Sequence, residues 1–147
     1  MRTRLVRHAL ITFLALTGAV LLGACGEDEI ASSAPTGSSD LDGSWVLQAE
    51  GFDAPLTKET TPTLDIAGST WSGFGGCNRY TTTATITGDD VELSPVASTM
   101  MACADPAMEV ETLYFQLLNE VTSFSRDGSD LELKDSSGKV LLTYAKS

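Results

Sequence analysis

The strongest constraint on the fold is a change in the spacing of apolar residues along the chain. Between residues 44 and 93, short segments alternate apolar and polar side chains, as Trp45 and Leu47 do with Val46 and Gln48, and glycine-rich turns separate these segments. A period of two is typical of half-buried strands. From residue 106 to 121 the period becomes helical, and short strand-like segments then return. The pattern predicts an α+β fold: a curled antiparallel sheet or partly open β-barrel with one packed amphipathic helix.

The helical segment has one apolar stripe and one polar face. Asp105 followed by Pro106 predicts the start of the helix, with Asp105 as its cap. The stripe is expected to pack on the sheet and the polar face to lie in solvent. The stripe consists of Val110, Leu113, Tyr114, Leu117, Leu118 and Val121. The polar face consists of Glu109, Glu111, Gln116, Asn119 and Glu120.

The first 24 residues have the layout of a secretory signal. A basic start precedes a mostly apolar run from 9 to 22, which is shorter than the roughly 20 residues that span a bilayer. The run ends in Leu22-Gly23-Ala24-Cys25, which resembles a bacterial lipobox, where the cysteine thiol receives a diacylglycerol. The alternative is an ordinary signal peptide with a chance cysteine.

The sequence therefore predicts three parts. Residues 1–24 are a lipoprotein signal peptide, residues 25–40 are a flexible polar tether beginning at lipidated Cys25, and residues 41–147 are one folded domain. We expect the protein to be extracytoplasmic and anchored by lipid to a cell membrane, although the sequence does not say which membrane of the envelope.

The composition argues against a nucleic-acid partner. Nine basic residues stand against twenty acidic ones, for a formal net charge of −11. Such a chain repels nucleic acid and anionic headgroups. The acidity favours solubility, and the alternative is a partner with a basic face.

Two cysteines remain for the folded domain once Cys25 carries lipid. Cys77 and Cys103 form an even pair in a compartment that permits oxidation, which favours a disulfide between them. Two free, buried thiols are the alternative.

The domain lacks the side chains of common catalytic and metal sites. The one histidine, His8, is removed with the signal, so no imidazole remains for a general base, a catalytic triad or zinc. The glycine-rich stretch 73–77 has no P-loop lysine. We therefore expect no enzymatic activity, no catalytic residue, no metal and no cofactor.

Two short motifs resemble those of the META domain, or HslJ-like, family. They are Gly76-Cys77-Asn78-Arg79-Tyr80 and Ser98-Thr99-Met100-Met101-Ala102-Cys103. The resemblance extends over about residues 41–144. It implies a small β-rich domain without enzymatic activity, found on bacterial envelope lipoproteins and associated with stress or drug-resistance responses. It also implies a shape like that of secretion-system pilot lipoproteins, whose cracked barrel holds an acyl chain.

The motif residues allow two interpretations. They can act as staples, because glycines and Asn78 suit a sharp corner and a Cys77–Cys103 bridge would fix it. Alternatively, Asn78, Arg79 and Thr99 contact a ligand.

Two hypotheses for the whole protein follow. The first is a non-catalytic, membrane-anchored, stress-related module that binds another envelope protein. The second is a carrier of a lipid or small apolar ligand inside the barrel. Its pocket would be lined by the helix stripe together with Trp45, Leu64, Ile66, Trp71 and Phe74.

Overall fold

The protein is represented by a computed structural model that describes residues 40–147. These residues belong to one compact unit. The predicted signal peptide, the lipidation of Cys25 and the tether up to residue 39 lie outside the described residues. Within them, no helix is long and apolar enough to cross a membrane.

The described residues form nine β-strands and one α-helix. Most strands are about five residues long and alternate buried and exposed side chains, as predicted. In chain order the elements are β1 (Gly43–Leu47), β2 (Thr63–Ala67), β3 (Thr70–Phe74), β4 (Arg79–Thr87), β5 (Asp90–Leu93), β6 (Ala97–Ser98), α1 (Ala107–Glu120), β7 (Ser123–Asp127), β8 (Asp130–Lys134) and β9 (Val140–Lys146).

Eight strands close into an antiparallel barrel. The neighbours run β3-β2-β1-β9-β8-β7-β5-β4, and the pairing of β3 with β4 completes the circle. The shortest strand pairing in the barrel is between β5 and β7, which share one residue pair, Asp90 with Ser123. Two further backbone bonds flank that pair, from Val91 N to Thr122 O at 3.0 Å and from Phe124 N to Asp89 O at 2.9 Å. The α+β barrel with one helix is confirmed.

The ninth strand, β6, lies outside the circle and was not predicted. It pairs only with β4, through Tyr80 with Ser98 and Thr81 with Ala97. The chain leaves β5, passes Pro95 and continues along the same edge of β4 as β6. Two residues are too few to show a period, which explains why the sequence pattern missed this strand.

Large side chains fill the space between the sheet and the helix. Trp45 and Trp71 on the strands and Tyr114 on α1 are fully buried, as is Tyr144 on β9. Phe74 was predicted to face inward, and this is wrong. Along β3 the inward positions are Trp71 and Gly73, so Phe74 points to the other face and is only partly buried.

The helix differs from the prediction at two positions. It begins at Ala107 with Pro106 in the cap position, and no side chain caps it. Asp105 is therefore one residue too early to reach the free amides of the first turn. Glu111 was predicted to lie in solvent, but it is buried, since it faces the same side as Tyr114 and Leu118.

Candidate functional site

The loop between β3 and β4 packs directly on the first turns of α1. The approach needs glycine, because a Cβ on Gly76 would lie 2.8 Å from Val110 Cγ1 and one on Gly75 would lie 2.7 Å from Phe115 Cζ. Gly76 also has a φ of +122°, which side-chain-bearing residues rarely adopt. The glycines of the first motif thus bring the backbone of Cys77 and Asn78 against the helix.

The predicted disulfide is present in this corner. Cys77 and Cys103 have Sγ atoms 1.97 Å apart and Cα atoms 6.0 Å apart. The bridge joins the β3–β4 loop to the segment that leads from β6 into α1. It therefore connects the two motifs that the sequence analysis singled out.

A buried carboxylate holds the same loop from the helix side. Glu111 Oε2 accepts hydrogen bonds from the backbone N–H groups of Cys77, at 3.2 Å, and of Asn78. Glu111 Oε1 accepts a third from Asn78 Nδ2 at 2.7 Å. These three donors would otherwise be buried without partners, at a cost of about 1–3 kcal/mol each.

Sequence reasoning missed Glu111 because its residue type was weighed above its position. The spacing to Tyr114 and Leu118 is i+3 and i+7, the spacing of a buried helical face. A carboxylate on such a face needs donors. The loop that begins at Gly75 supplies them.

The side chain of Asn78 is fully used inside the protein. Its Nδ2 donates to Glu111 and to Met101 O, the latter at 3.1 Å. Its Oδ1 accepts from Met101 N at 2.8 Å and from Thr99 Oγ1 at 2.8 Å. An amide offers two donors and two acceptor positions, and all four are occupied. Asn78 is 2% exposed, so it has no free polar atom for a ligand.

Thr99 and Arg79 lie beside Asn78, but they differ in whether their side chains form hydrogen bonds within the protein. Thr99 Oγ1 accepts from Arg79 N at 3.2 Å while donating to Asn78, and Thr99 N donates to Arg79 O at 3.0 Å. Thr99 is thus tied into the corner. The guanidinium of exposed Arg79 has no salt bridge or hydrogen bond within residues 40–147.

A chain of tyrosine hydroxyls continues from this corner into the barrel. Tyr80 donates to Thr63 O at 3.0 Å, and its oxygen lies 2.7 Å from the hydroxyl of Tyr114. The Tyr114 hydroxyl is in turn 2.9 Å from that of Tyr144. Burial raises the pKa of all three phenols well above the ordinary value, because the charged form would lose its water. The three hydroxyls are therefore neutral at physiological pH, and their role is structural.

Two methionines next to this corner are open to solvent. Met100 is 97% exposed and Met101 is 60% exposed. A groove of about 330 Å³ lies beside them, lined mainly by apolar atoms, with Arg79 and Thr81 from β4 and Ala97, Ser98 and Thr99 on its other side. Two hydrogen bonds with the side chain of Asn78 fix the backbone of Met101. The two exposed methionines therefore lie on a rigid segment.

The opposite end of β4 opens into a different, acidic cleft of about 400 Å³. Asp40, Asp89 and Phe124 line it, together with Arg126. Arg126 Nη1 donates to Asp40 O at 2.5 Å. The Arg126 guanidinium and the Lys146 ammonium lie 5.8 Å and 5.7 Å from the centre of the Trp45 ring. The carboxylates of this cleft form no metal site. Between residues 40 and 147, no group of at least three His, Cys, Asp or Glu side chains is arranged to hold an ion.

Comparisons with known proteins agree with this architecture. The family model of the META domain matches residues 39–147. An NMR structure of a protein from Burkholderia xenovorans is 26% identical, with a TM-score of 0.60, and the match covers 86% of this chain and 99% of that one. A second NMR structure, 21% identical with a TM-score of 0.55, covers 71% and 88% of the two chains and supports the fold alone. The comparison with curated proteins gives no match.

Proposed function

The chain belongs to the META domain family, and from this premise we propose that it is a non-catalytic envelope lipoprotein whose barrel binds another envelope protein. The lipid anchor in this proposal rests on the Leu22–Cys25 pattern and on the polar tether that follows it. A role in envelope stress rests on the family resemblance alone.

The observation that carries the proposal is the exposure of Met100 and Met101 on a segment that the protein holds rigid. Asn78 and Thr99 are occupied by internal hydrogen bonds, which favours the staple interpretation of the motifs over direct ligand contact. Large exposed apolar side chains on a fixed backbone are typical of protein-binding surfaces, because binding then orders little additional chain.

The anchor is tested by fractionating cells that express the full chain. We expect the wild-type protein in the membrane fraction and Cys25→Ala in the soluble extracytoplasmic fraction, since the variant lacks the acceptor thiol. Recovery of both proteins in the same fraction would contradict the anchor.

The binding role is tested by chemical crosslinking of intact cells followed by purification of the tagged chain. We expect one or a few envelope proteins to be enriched over a sample from cells that carry an unrelated lipoprotein with the same tag. Purification that never enriches a protein would contradict the interaction role.

A second candidate function is a carrier of a lipid or small apolar ligand. One observation favours it: Trp71 Nε1 is buried and has no hydrogen-bond partner among the described residues, so the interior holds a polar atom that a bound molecule can satisfy. Four fully buried aromatic side chains in that interior argue the other way. Native mass spectrometry of protein purified without detergent separates the two, because a carrier retains a ligand mass and a filled barrel has the mass of the chain alone.

A further inference from the structure

One face of the barrel has almost no charge, although the protein is strongly acidic. Between Asp65 and Asp89, and again between Glu92 and Asp105, the one charged side chain is Arg79. These stretches contain all of β3, β4 and β6. The outward side chains of β4 after Arg79 are the exposed threonines 81, 83, 85 and 87. The face formed by β3, β4 and β6, here called the neutral face, thus contrasts with a net charge of −11 for the chain.

The neutral face includes a strand edge with no partner in the described residues. Thr99 N bonds to Arg79 O, so Arg79 and Thr99 form a hydrogen-bonded pair, and their neighbours Tyr80 and Ser98 form a non-bonded one. The N–H and C=O of Ser98 therefore point away from β4. Such a free edge accepts an additional extended strand.

The side chains beside this edge determine which side chains an added strand would need. The groove between β4 and β6 is lined mainly by apolar atoms, and the exposed Met100 and Met101 directly follow its lining residue Thr99 in the chain. Methionine is flexible and adapts to apolar partners of different shape. The unpaired Arg79 guanidinium at the groove offers a planar pair of donors for a carboxylate.

The location of the neutral face favours a protein over the bilayer. The chain that leads to the predicted anchor joins the barrel at Asp40, which lies in the cleft beside Asp89. Asp89 lies two residues beyond Thr87, the last residue of β4, whereas Arg79 is the first, so nine residues of strand, about 30 Å, separate the two ends. The groove and the β6 edge of the neutral face therefore lie at the end of the barrel away from the tether.

We propose that the neutral face binds an extended segment of an envelope protein, which adds to the free edge of β6. The segment places a carboxylate on Arg79 and an apolar side chain against Met100 and Met101. This inference rests on the proposed function, and it names the surface and the chemistry of the partner.

The test is site-specific photocrosslinking of the full chain in its native cells. The photoreactive amino acid p-benzoylphenylalanine replaces Met100 beside the groove, Thr85 near the far end of β4, or Ser137 in the turn before β9. All three positions are exposed, so the replacements leave the core unchanged. We expect a crosslinked protein from position 100 and none from positions 85 and 137. Peptide mapping is expected to place the crosslink next to an aspartate or glutamate of the partner.

Charge reversal sharpens this test. Arg79→Glu is expected to lower the yield from position 100 by about tenfold, since an attraction becomes a repulsion, and Arg79→Lys is expected to retain most of it. Thermal unfolding of both variants should match the wild type, which would separate a lost contact from a lost fold.

The other outcomes overturn the proposal in distinguishable ways. Crosslinks from position 137 alone would place the partner on another surface, and crosslinks from position 85 alone would place it on the neutral face away from the β6 edge. Either result, or a yield that Arg79→Glu leaves unchanged, would overturn this inference and leave the binding role intact. A crosslink to lipid or to a second copy of the chain would replace the proposed occupant. No protein crosslink from any position would contradict both this inference and the interaction role.

Discussion

The two ends of the barrel are built in different ways. At the acidic end, the two-residue turns Gly68–Ser69, Gly88–Asp89 and Gly128–Ser129 join neighbouring strands. The first residue of each is a glycine with φ between +57° and +63°, so each hairpin closes through its own backbone. At the other end, here called the stapled end, three irregular segments meet: the β3–β4 loop, residues 99–103 and the start of α1. A disulfide, Glu111 and Asn78 join them.

The difference follows from where backbone hydrogen bonds go. Within a hairpin, strand pairing satisfies nearly every N–H and C=O group. The irregular segments of the stapled end have no such neighbours, so buried side chains supply the missing partners. Side-chain substitutions should therefore destabilise the stapled end strongly and the acidic end weakly, and the predictions below test that contrast from the largest expected effect to the smallest.

The largest effect is expected for Glu111→Ala. The change removes the acceptor of three buried N–H groups, the backbone N–H of Cys77, that of Asn78 and one N–H of the Asn78 side-chain amide, which should cost about 5 kcal/mol. Urea unfolding measures it. The matched control is Glu109→Ala on the exposed side of the same helix, where we expect less than about 0.5 kcal/mol. Equal losses in the two variants would contradict a role for the buried carboxylate.

The tyrosine chain should make the protein sensitive to alkali. The pKa values of Tyr80, Tyr114 and Tyr144 are raised on folding, so the neutral phenols stabilise the folded state fully below the unfolded pKa of about 10. That stability is lost as the pH rises above 10 towards the folded pKa values. The three groups should together remove about 4 kcal/mol by pH 11.

The control for this pH effect is Tyr114→Phe, which removes one of the three phenols. The free energy of unfolding is measured at pH 8 and at pH 11. Its decrease between the two pH values should be about one third smaller in the variant than in the wild type. An identical fall would show that groups other than these tyrosines cause the alkaline loss.

Removing the disulfide should cost somewhat less. The double variant Cys77→Ser, Cys103→Ser opens a loop with a sequence separation of 26, for which the chain-entropy model gives about 3.5 kcal/mol. Calorimetry should show a lower unfolding temperature for a protein that still unfolds cooperatively, because Glu111 and Asn78 continue to hold the loop. Loss of the cooperative transition would mean that the disulfide alone organises the stapled end.

Asn78→Ala separates the two interpretations of the first motif. The variant loses four side-chain hydrogen bonds, two with the backbone of Met101 and one each with Glu111 and Thr99, and we expect it to lose about 3 kcal/mol. Arg79→Ala, one residue later and exposed, should change stability by less than about 0.5 kcal/mol. If Asn78→Ala unfolds at the wild-type urea concentration, the staple interpretation fails.

The smallest effect is expected at the acidic end, for Arg126→Ala. This variant loses a partly exposed contact with the Trp45 ring and a bond to Asp40 O, which together should contribute about 1 kcal/mol or less. Urea unfolding in low salt is the measurement. A loss as large as that of Asn78→Ala would contradict the contrast between the two ends.

The sequence predicted regular structure better than the stapled end. Alternation placed β1 to β5 and β7 to β9 within a few residues, because each strand buries one face. The disulfide followed from counting cysteines. Glu111 was missed because its partners lie more than 30 positions away in the chain, and no local pattern reports that a loop will supply three donors. Residue type also misleads at Met100 and Met101, because methionine is usually interior but both of these side chains are exposed.

Hydrogen bonds of Glu111 and Asn78 fix the same β3–β4 loop that the Cys77–Cys103 disulfide fixes. The disulfide can therefore form in a loop that is already in place. A chain with both thiols reduced can already bring Cys77 and Cys103 together through these hydrogen bonds, so folding determines the pairing before the thiols are oxidised. Such a chain needs an oxidant and no disulfide isomerase, so refolding of the reduced protein with oxidised glutathione as the one oxidant should give complete recovery.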